Sequence, residues 1–532
     1  MAPTIQLSPG EERLKRLLLD VASSINTTQT DLDETASGQS RRNPVLLRWA
    51  GGWVRDKLLG IETHDIDVAI NCMTGEDFGQ RFREFCHSPS IIEKYSITET
   101  DLGNIHTIKA NPEKSKHLAT ATCRIFGADV DFVNLRKETY SEGSRNPEIE
   151  FGTPLEDALR RDATVNALFY NLHTDEVEDF TGGISDMNAR LIRTPLDPFQ
   201  TFMDDPLRVL RLVRFASRLD FTIAADVEKL MGDDRVLKSF QAKISRERVG
   251  IEIGKMLRGN RPHAALSLID RLGLYHTIFT DPTFERMPVP DISSWHVAYG
   301  LMEVLRSHDV IIKPLCNQLV QSDADAYLAW NLVALAPWES VDDPQPPTGK
   351  SKAHAVPFIL RAAREGIKAA NRLCAVIASS HLHRRNILQL KQLACSEDES
   401  RNRRDLFAMA ICKWDGFGGY WRLQVLYCIL IEAMQELGKW PVSSDRLHSF
   451  IGEWEKFLVH LADLDVMEAP STKPLVDGHM LARSLGVKPG PWMAQALDVC
   501  LAWQFRHPDI TDAGKVINEV QKRRIELGVP QA

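Results

Sequence analysis

The stretch Ala50-Gly51-Gly52-Trp53-Val54-Arg55-Asp56, followed by Leu59-Gly60 and then Asp65-Ile66-Asp67-Val68, decides how this chain folds. The apolar run Val45 to Trp49 reads as a strand, Trp53 to Leu59 as a helix, and Asp65 to Ile70 as a second strand. Two glycines between a strand and a helix let the backbone approach a phosphate, and the first helical N–H groups point at that anion. Arg55, one turn into the helix, adds a charge-assisted donor for a triphosphate. Asp65 and Asp67 stand two apart on a strand, so both carboxylates leave the same face. Hard divalent cations such as Mg²⁺ take oxygen ligands of this kind together with substrate phosphates. By itself an Asp-x-Asp is equally a solvated loop or a helix cap. Its position behind Gly-Gly-x-x-Arg-Asp is what makes it a metal-binding expectation.

Outward from this core, strand-like runs recur at His106 to Ala110, Ala119 to Ile125, Val130 to Leu135, Ala167 to Leu172 and Glu176 to Phe180, with a helix over Gly75 to Cys86. Asp131, on the strand after the turn at Gly127, is the expected third catalytic carboxylate, or else a strand-edge aspartate. After about Met203 the pattern changes. Apolar residues recur at spacings of three and four (Leu207, Leu210, Leu212, Val213, Phe215) and strand signals become rare. The polar segment Asp31 to Asn43 reads as a linker, and Pro337 to His354 and Ser396 to Arg404 read as loops.

The bulk properties set limits. A chain of 532 residues is too long for one core. Its net charge of −8 excludes binding of nucleic acid by the whole surface, though not by a local basic groove. Nine scattered cysteines with no CxxC pair indicate neither a disulfide framework nor a zinc site, and fit a reducing compartment. Glu11, Glu12 and Asp20 speak against a mitochondrial presequence at this N-terminus, and no apolar run is long enough for a bilayer. His296, His354, His381 and His383 lack metal-ligand spacing and read as ordinary surface or core residues.

The Gly-Gly-x-Val-Arg-Asp…Asp-Ile-Asp-Val element resembles the first motif of the polymerase β-type nucleotidyltransferase superfamily, in the form found in class II CCA-adding enzymes and the related bacterial poly(A) polymerases. Later segments match that group in order: Arg160-Arg161-Asp162-Ala163-Thr164-Val165-Asn166-Ala167, then Asp179-Phe180-Thr181-Gly182-Gly183 with Asp186, then Asp204-Asp205-Pro206-Leu207-Arg208, then Ser245-Arg246-Glu247-Arg248. The resemblance is specific over roughly residues 46 to 260. It implies an α+β fold: a nucleotidyltransferase head with a mixed sheet (45–180, after an extension 1–44), then an elongated helical neck for nucleotide recognition (181–275) and a helical body and tail for tRNA (276–532). It further implies an enzyme that adds C, C and A to the 3′ end of tRNA without a template, from CTP and ATP, with Mg²⁺ on Asp65 and Asp67. Its partner would be tRNA lacking all or part of that end.

On the same resemblance Gly51, Gly52 and Arg55 hold the triphosphate. Arg160, Arg161, Asp162 and Asn166 contact the ribose and nucleotide, and Gly182 and Gly183 form a hinge. The residues Glu156, Asp157, Arg160 and Arg161 also fit a plain charged cluster at a helix start. Asp205, Arg208 and Arg211 are expected to read the base. Placed three apart on one helix, Asp205 and Arg208 would share a face. A carboxylate only accepts and a guanidinium only donates, which matches the amino group and ring nitrogen shared by cytosine and adenine. The alternative is a helix cap, with Asp204 in that role.

The stretch Ser141 to Pro154, with Asn146, Pro147 and Gly152, corresponds to the family's flexible loop and has full length, which favours complete CCA synthesis. Partial CC- or A-addition, poly(A) synthesis and a non-catalytic tRNA-binding role stay open. Arg246 and Arg248, in a basic run over residues 235 to 261, and Arg361, Arg364, Lys368 and Arg372, on one stripe of a helix, are the tRNA-contact expectations. A solvated face explains such a stripe equally well. A monomer in the cytosol is expected, with nucleus and mitochondrion as further sites of tRNA maturation.

Overall fold

The computed structural model describes residues 3–35, 43–102, 106–108, 120–140, 147–307, 313–344 and 356–531. It divides into two compact units, Met1–Arg248 and Val249–Ala532.

The first unit opens on helix α1 (Pro9–Thr35). There follow β1 (Leu47–Ala50), α2 (Gly52–Leu58), β2 (Asp65–Ile70), α3 (Gly75–Cys86), the short helices α4 (Pro89–Tyr95) and α5 (Glu99–Leu102), and strands β3 (His106–Ile108), β4 (Thr120–Ile125) and β5 (Ala128–Asn134). Next come β6 (Arg136–Thr139), β7 (Glu148–Phe151), α6 (Pro154–Leu159), β8 (Leu168–Asn171) and β9 (Glu176–Asp179). Seven of these strands form one mixed sheet in the order β3-β4-β5-β2-β1-β8-β9, with β2 and β5 parallel and the other pairs antiparallel. The strands anticipated from Val45 to Phe180 are therefore present, with their ends shifted by a residue or two. Lys109, Ala110 and Ala119, which the sequence reading placed in strands, lie outside the described residues.

Sheet register positions the chemistry. Ala50, the last residue before the double glycine, pairs with Asp67 across β1 and β2. Asp65 and Asp67 pair with Asp129 and Asp131 across β2 and β5. Partners in register share a face, so the glycine turn and these carboxylates lie on one side of the sheet. Helices α1 and α3 bury apolar faces, with Leu14, Leu17, Leu18, Val21, Ala22 and Ile25 on α1 and Phe78 and Phe82 on α3. Phe78 and Phe82 each meet Phe132 of β5 at ring-centre distances of 5.2 Å.

Beyond the sheet the first unit is mainly helical: α7 (Gly183–Asn188), α8 (Pro198–Asp204), α9 (Arg208–Leu219), α10 (Ala225–Met231) and α11 (Asp234–Lys243), with a two-stranded parallel pair β10 (Leu191–Ile192) and β11 (Thr222–Ile223). Helix α12 (Arg246–Arg258) leads into the second unit, which is helical from Pro262–Arg271 to Ala513–Lys522. No described helix is long and apolar enough to cross a membrane.

Three expectations need correction. Asp31 to Asn43 is not all linker, because α1 continues to Thr35; Ala36 to Arg42 lie outside the described residues. Ser141 to Pro154 is not a loop throughout. Ser141 to Asn146 lie outside the described residues, but Glu148–Phe151 is strand β7, paired with β6. Finally, Arg361, Arg364, Lys368 and Arg372 do not share one helical stripe. A short helix Phe358–Arg361 passes into a π-turn at Ala362–Gly366, Lys368 takes a φ of 50°, and a new helix starts at Asn371. Gly366 packs close to neighbouring backbone, where a Cβ would lie 3.1 Å from the Thr280 carbonyl. Arg361 turns onto the Phe284 ring, Lys368 pairs with Glu365, and Arg372 lies over Tyr420.

Candidate active site

Gly51 caps the start of α2 with a φ of 70°, a conformation open to glycine and strained for other residues. A Cβ here would also lie 2.6 Å from Arg161 Nη1. The glycine thus admits the second motif's arginine directly beside the turn that starts α2. Arg161 in turn donates to the Asn166 carbonyl at 3.0 Å.

Arg55 is less open than expected. Its buried guanidinium donates to Asp56 Oδ1 at 2.8 Å and to the Asn166 side-chain oxygen, while Arg218 holds the other Asp56 oxygen at 3.1 Å. Burial lowers the Arg55 pKa against the pull of Asp56.

Asp65 is exposed and Asp67 half-buried on the same face of β2. Burial first, then the charge of Asp65, pushes the Asp67 carboxyl above its usual range, opposed by Arg161. A divalent cation between two such oxygens removes that penalty, so the donor set fits Mg²⁺. Asp131 stands level with Asp67 in the sheet, but no group of three or more His, Cys, Asp or Glu side chains is gathered at metal-holding geometry among the described residues.

The second motif is organised by Asp157 of α6, a residue taken from sequence as part of a surface cluster. It is buried, accepting from Arg160 Nε at 2.8 Å, from Arg161 Nε and Nη2 at 3.0 and 2.9 Å, and from the Arg136 backbone N–H at 3.2 Å. Burial pushes its carboxyl up, but the two arginines more than compensate and hold it low. Asp162 is treated alike: Arg211 Nε at 2.5 Å and Asn166 Nδ2 at 3.1 Å outweigh burial and keep it well below the carboxylate range.

The expectation that Asp205 and Arg208 share a helix is corrected. Asp205 is extended (φ −136°, ψ 96°) at the end of α8, and Arg208 is the first residue of α9. Pro206 is the reason, since it disfavours helical backbone in the residue before it. Asp204 is not the N-cap of α9 but the last residue of α8, accepting from Gln200 at 2.6 Å. Asp205 accepts from the Leu207 N–H at 3.2 Å and from Arg248 Nη2 at 2.9 Å. Arg208 Nη2 donates to the Arg160 carbonyl at 2.8 Å and to Tyr140 Oη at 3.3 Å.

These residues meet at one cavity of about 560 Å³ lined by Gly52, Asp67, Arg160, Arg161, Asp162, Asn166, Asp205, Arg208, Arg211 and Arg248, among others. Nine arginines (Arg55, Arg136, Arg160, Arg161, Arg208, Arg211, Arg214, Arg218, Arg248) face four acids (Asp67, Glu138, Asp162, Asp205). Such a cleft suits a polyanion despite the chain's negative balance. Sequence reading named Arg208 and Arg211 but missed Arg214 and Arg218, which follow them at helical spacing along α9, and it missed a second source on β6. Arg136, Glu138 and Tyr140 alternate along β6 and its end, a period-two signal present in the sequence. At the third motif Asp179 accepts backbone N–H bonds from Thr181, Gly182, Gly183 and Ile184, fixing the turn.

Residues 47–193 match the family model described as the poly A polymerase head domain, and residues 220–287 the one described as the probable RNA and SrmB-binding site of polymerase A. The chain is 50% identical to nucleotidyltransferase lcsQ of Purpureocillium lilacinum, over 99% of its own length and 94% of that protein. It is 37% identical to the mitochondrial CCA tRNA nucleotidyltransferase of Saccharomyces cerevisiae, over 96% of its own length and 92% of the other's. Among solved structures, an apo form of a CCA-adding enzyme superposes with a TM-score of 0.62 at 18% identity, covering 97% of this chain and 96% of that one, and so shares its fold.

Proposed function

The chain belongs to the CCA tRNA nucleotidyltransferase family, and from that premise we propose that it adds C, C and A in turn to the 3′ end of tRNA, from CTP and ATP, without a template. The observation that carries the reading is that Asp67, the glycine turn and the pair Asp205 and Arg208 line a single nucleotide-sized cavity. In the reaction the terminal hydroxyl of the RNA attacks the α-phosphate of the incoming nucleotide and pyrophosphate leaves.

Asp65 and Asp67 would hold Mg²⁺, which activates that hydroxyl and neutralises charge on the leaving group. Substrate phosphates would complete the ligand set, and Asp131, paired with Asp67 in register, would stand as a third carboxylate on the same face. Gly51 and Gly52 offer backbone N–H groups to the triphosphate. Arg160 and Arg161, anchored through Asp157, supply positive charge, while Arg55, which also lines the cavity, is held by Asp56 and Asn166 and adds its charge for the triphosphate. Asp162 and Asn166 orient the ribose. Asp205 accepts from the amino group of cytosine or adenine while Arg208 donates to the ring nitrogen; uracil and guanine present the reverse pattern. Each buried polar group left unpaired costs on the order of 1–3 kcal/mol, which disfavours the wrong bases. Arg211 holds Asp162 and borders the base.

For the RNA, Arg248 is retained as a contact while Arg246 is buried and less suited to one; Arg361, Arg364, Lys368 and Arg372 are retained as separate points rather than a stripe. We assign the head to 45–180, the neck to 181–275 and the tRNA-binding body and tail to 276–532. Action as a monomer in the cytosol, and wherever else tRNA is matured, fits this role.

The test is extension of tRNA lacking its last three or only its last nucleotide with each NTP separately. Two C additions from CTP, then one A from ATP, are expected. Addition that stops after CC, or that runs on as poly(A), would refute complete CCA synthesis. Joint replacement Asp65→Ala with Asp67→Ala should lower incorporation by at least about a thousandfold, on the scale set by losing metal-assisted catalysis, and incorporation that survives would overturn the metal assignment.

A further inference from the structure

Resting on the reading just given, in which Arg208 recognises the base, we infer that Tyr140 and Glu138 are positioning residues that set the direction of the Arg208 fork and with it the choice of nucleotide. The guanidinium is planar, so fixing both hydrogens of one terminal nitrogen fixes the whole plane. Arg208 Nη2 has two hydrogens, and two acceptors meet it: the Arg160 carbonyl at 2.8 Å and the Tyr140 hydroxyl at 3.3 Å. Among the described residues neither Nε nor Nη1 of Arg208 has an acceptor, which leaves that edge for a base in the cavity.

The carbonyl is backbone and common to any side chain at position 160. Tyr140 is therefore the adjustable half of the clamp. A hydroxyl rotor can present either its hydrogen or a lone pair. Here the rotor is set, because Tyr140 Oη donates to Glu138 Oε2 at 2.8 Å and so turns a lone pair toward Arg208. Glu138 is itself held on its other oxygen by a hydrogen bond from Arg160 Nη1 at 3.2 Å, with Arg136 Nε in ionic contact at 3.0 Å. Burial and the Glu138 charge push the Tyr140 phenol up, so it keeps the proton this chain of bonds requires. The alternation Arg136, Glu138, Tyr140 on one side of β6 thus joins the arginine of the second motif to the base-reading arginine.

The experiment measures kcat/KM for CTP and UTP on tRNA lacking its last three nucleotides, and for ATP and GTP on tRNA lacking only the last. Tyr140→Phe keeps the ring and removes the acceptor. Its CTP-to-UTP and ATP-to-GTP ratios should fall on the order of tenfold, the effect of losing one hydrogen bond to a charged group. Glu138→Gln still offers an oxygen to the Tyr140 hydroxyl and should retain most of both ratios. A purely structural role for Tyr140 would lower kcat/KM for all four nucleotides by one factor; unchanged ratios of that kind overturn the inference while the function stands. A wild-type enzyme with no preference for CTP over UTP would instead overturn the reading beneath it, and this inference with it.

Discussion

Asp157 is the side chain to which Arg160 and Arg161 both donate, and it lies outside the cavity lining. Its two oxygens receive the guanidinium N–H groups of both arginines, fully out of water. Replacing it by asparagine keeps the shape and removes the charge, leaving Arg160 with its contact to Glu138 and taking from Arg161 its carboxylate partner at position 157. Breaking a buried ion pair from one side costs about 3–5 kcal/mol. Asp157→Asn should therefore lower thermal stability by an amount of that order and raise KM for CTP at least about tenfold, checked by denaturation and steady-state kinetics. Equal KM values would mean that the arginines find their places without it. The placement of Asp65, Asp67 and the two glycines was legible because strand period and helix start dictate where those groups point. Asp157 was not, although its spacing of three and four to the two arginines was visible. Whether such a trio faces water or the interior depends on β6, whose backbone Arg136 N–H closes the cluster from 21 residues away.

At the scale of elements, helix α3 lies against β5 with glycine as the spacer. A Cβ on Gly75 would fall 1.9 Å from the Phe132 carbonyl oxygen, and one on Gly79 2.5 Å from the Ala121 Cβ. Phe132 neighbours Asp131 in the strand that pairs with β2, so pushing α3 away also disturbs the sheet beneath the carboxylates. Gly75→Ala should destabilise by about 1–3 kcal/mol through overpacking, with urea denaturation as the measure; a neutral outcome would show that α3 can slide. The helix itself was readable from sequence, but its close contact was not, since a glycine at a helix start is equally an ordinary cap. Helix α1 shows the opposite failure. Its buried face at Leu14, Leu17, Leu18, Val21 and Ile25 has helical spacing, yet the sequence reading marked only an extension with a linker from Asp31 and no helix there. In the structure Glu11 accepts from Trp53 Nε1 at 3.1 Å and pairs with Lys57 at 2.7 Å, tying α1 to the very helix that follows the glycine turn.

Over the whole molecule, charge is partitioned: a chain with a net charge of −8 gathers nine arginines around one cleft. The change from mixed sheet to helices was plain in the sequence. The division at Arg248 was not, because α12 runs through it without a turn signal. The second unit carries its own charged centre at a residue that sequence spacing left as ordinary. His381 Nδ1 meets Glu339 Oε2 at 2.7 Å and Nε2 meets Asp343 Oδ2 at 2.9 Å, while Arg384 and the Tyr427 hydroxyl also bind Glu339, both at 2.8 Å. With a carboxylate at each nitrogen, the ring is held as imidazolium, and its pKa is pushed up to about 9, chiefly by the hydrogen bond to Glu339 and against burial. An unfolded histidine titrates near about pH 6.5. The folded value is the higher one, so the stabilisation is complete below about pH 6.5 and is lost as pH rises through about 9. Allowing for the partly exposed Asp343, the contribution is on the order of 2 kcal/mol. Urea midpoints followed by tryptophan fluorescence should thus fall between about pH 6.5 and 9.5 in the wild-type chain and fall less in His381→Gln. Parallel slopes in the two proteins would mean that the imidazolium adds nothing to the fold.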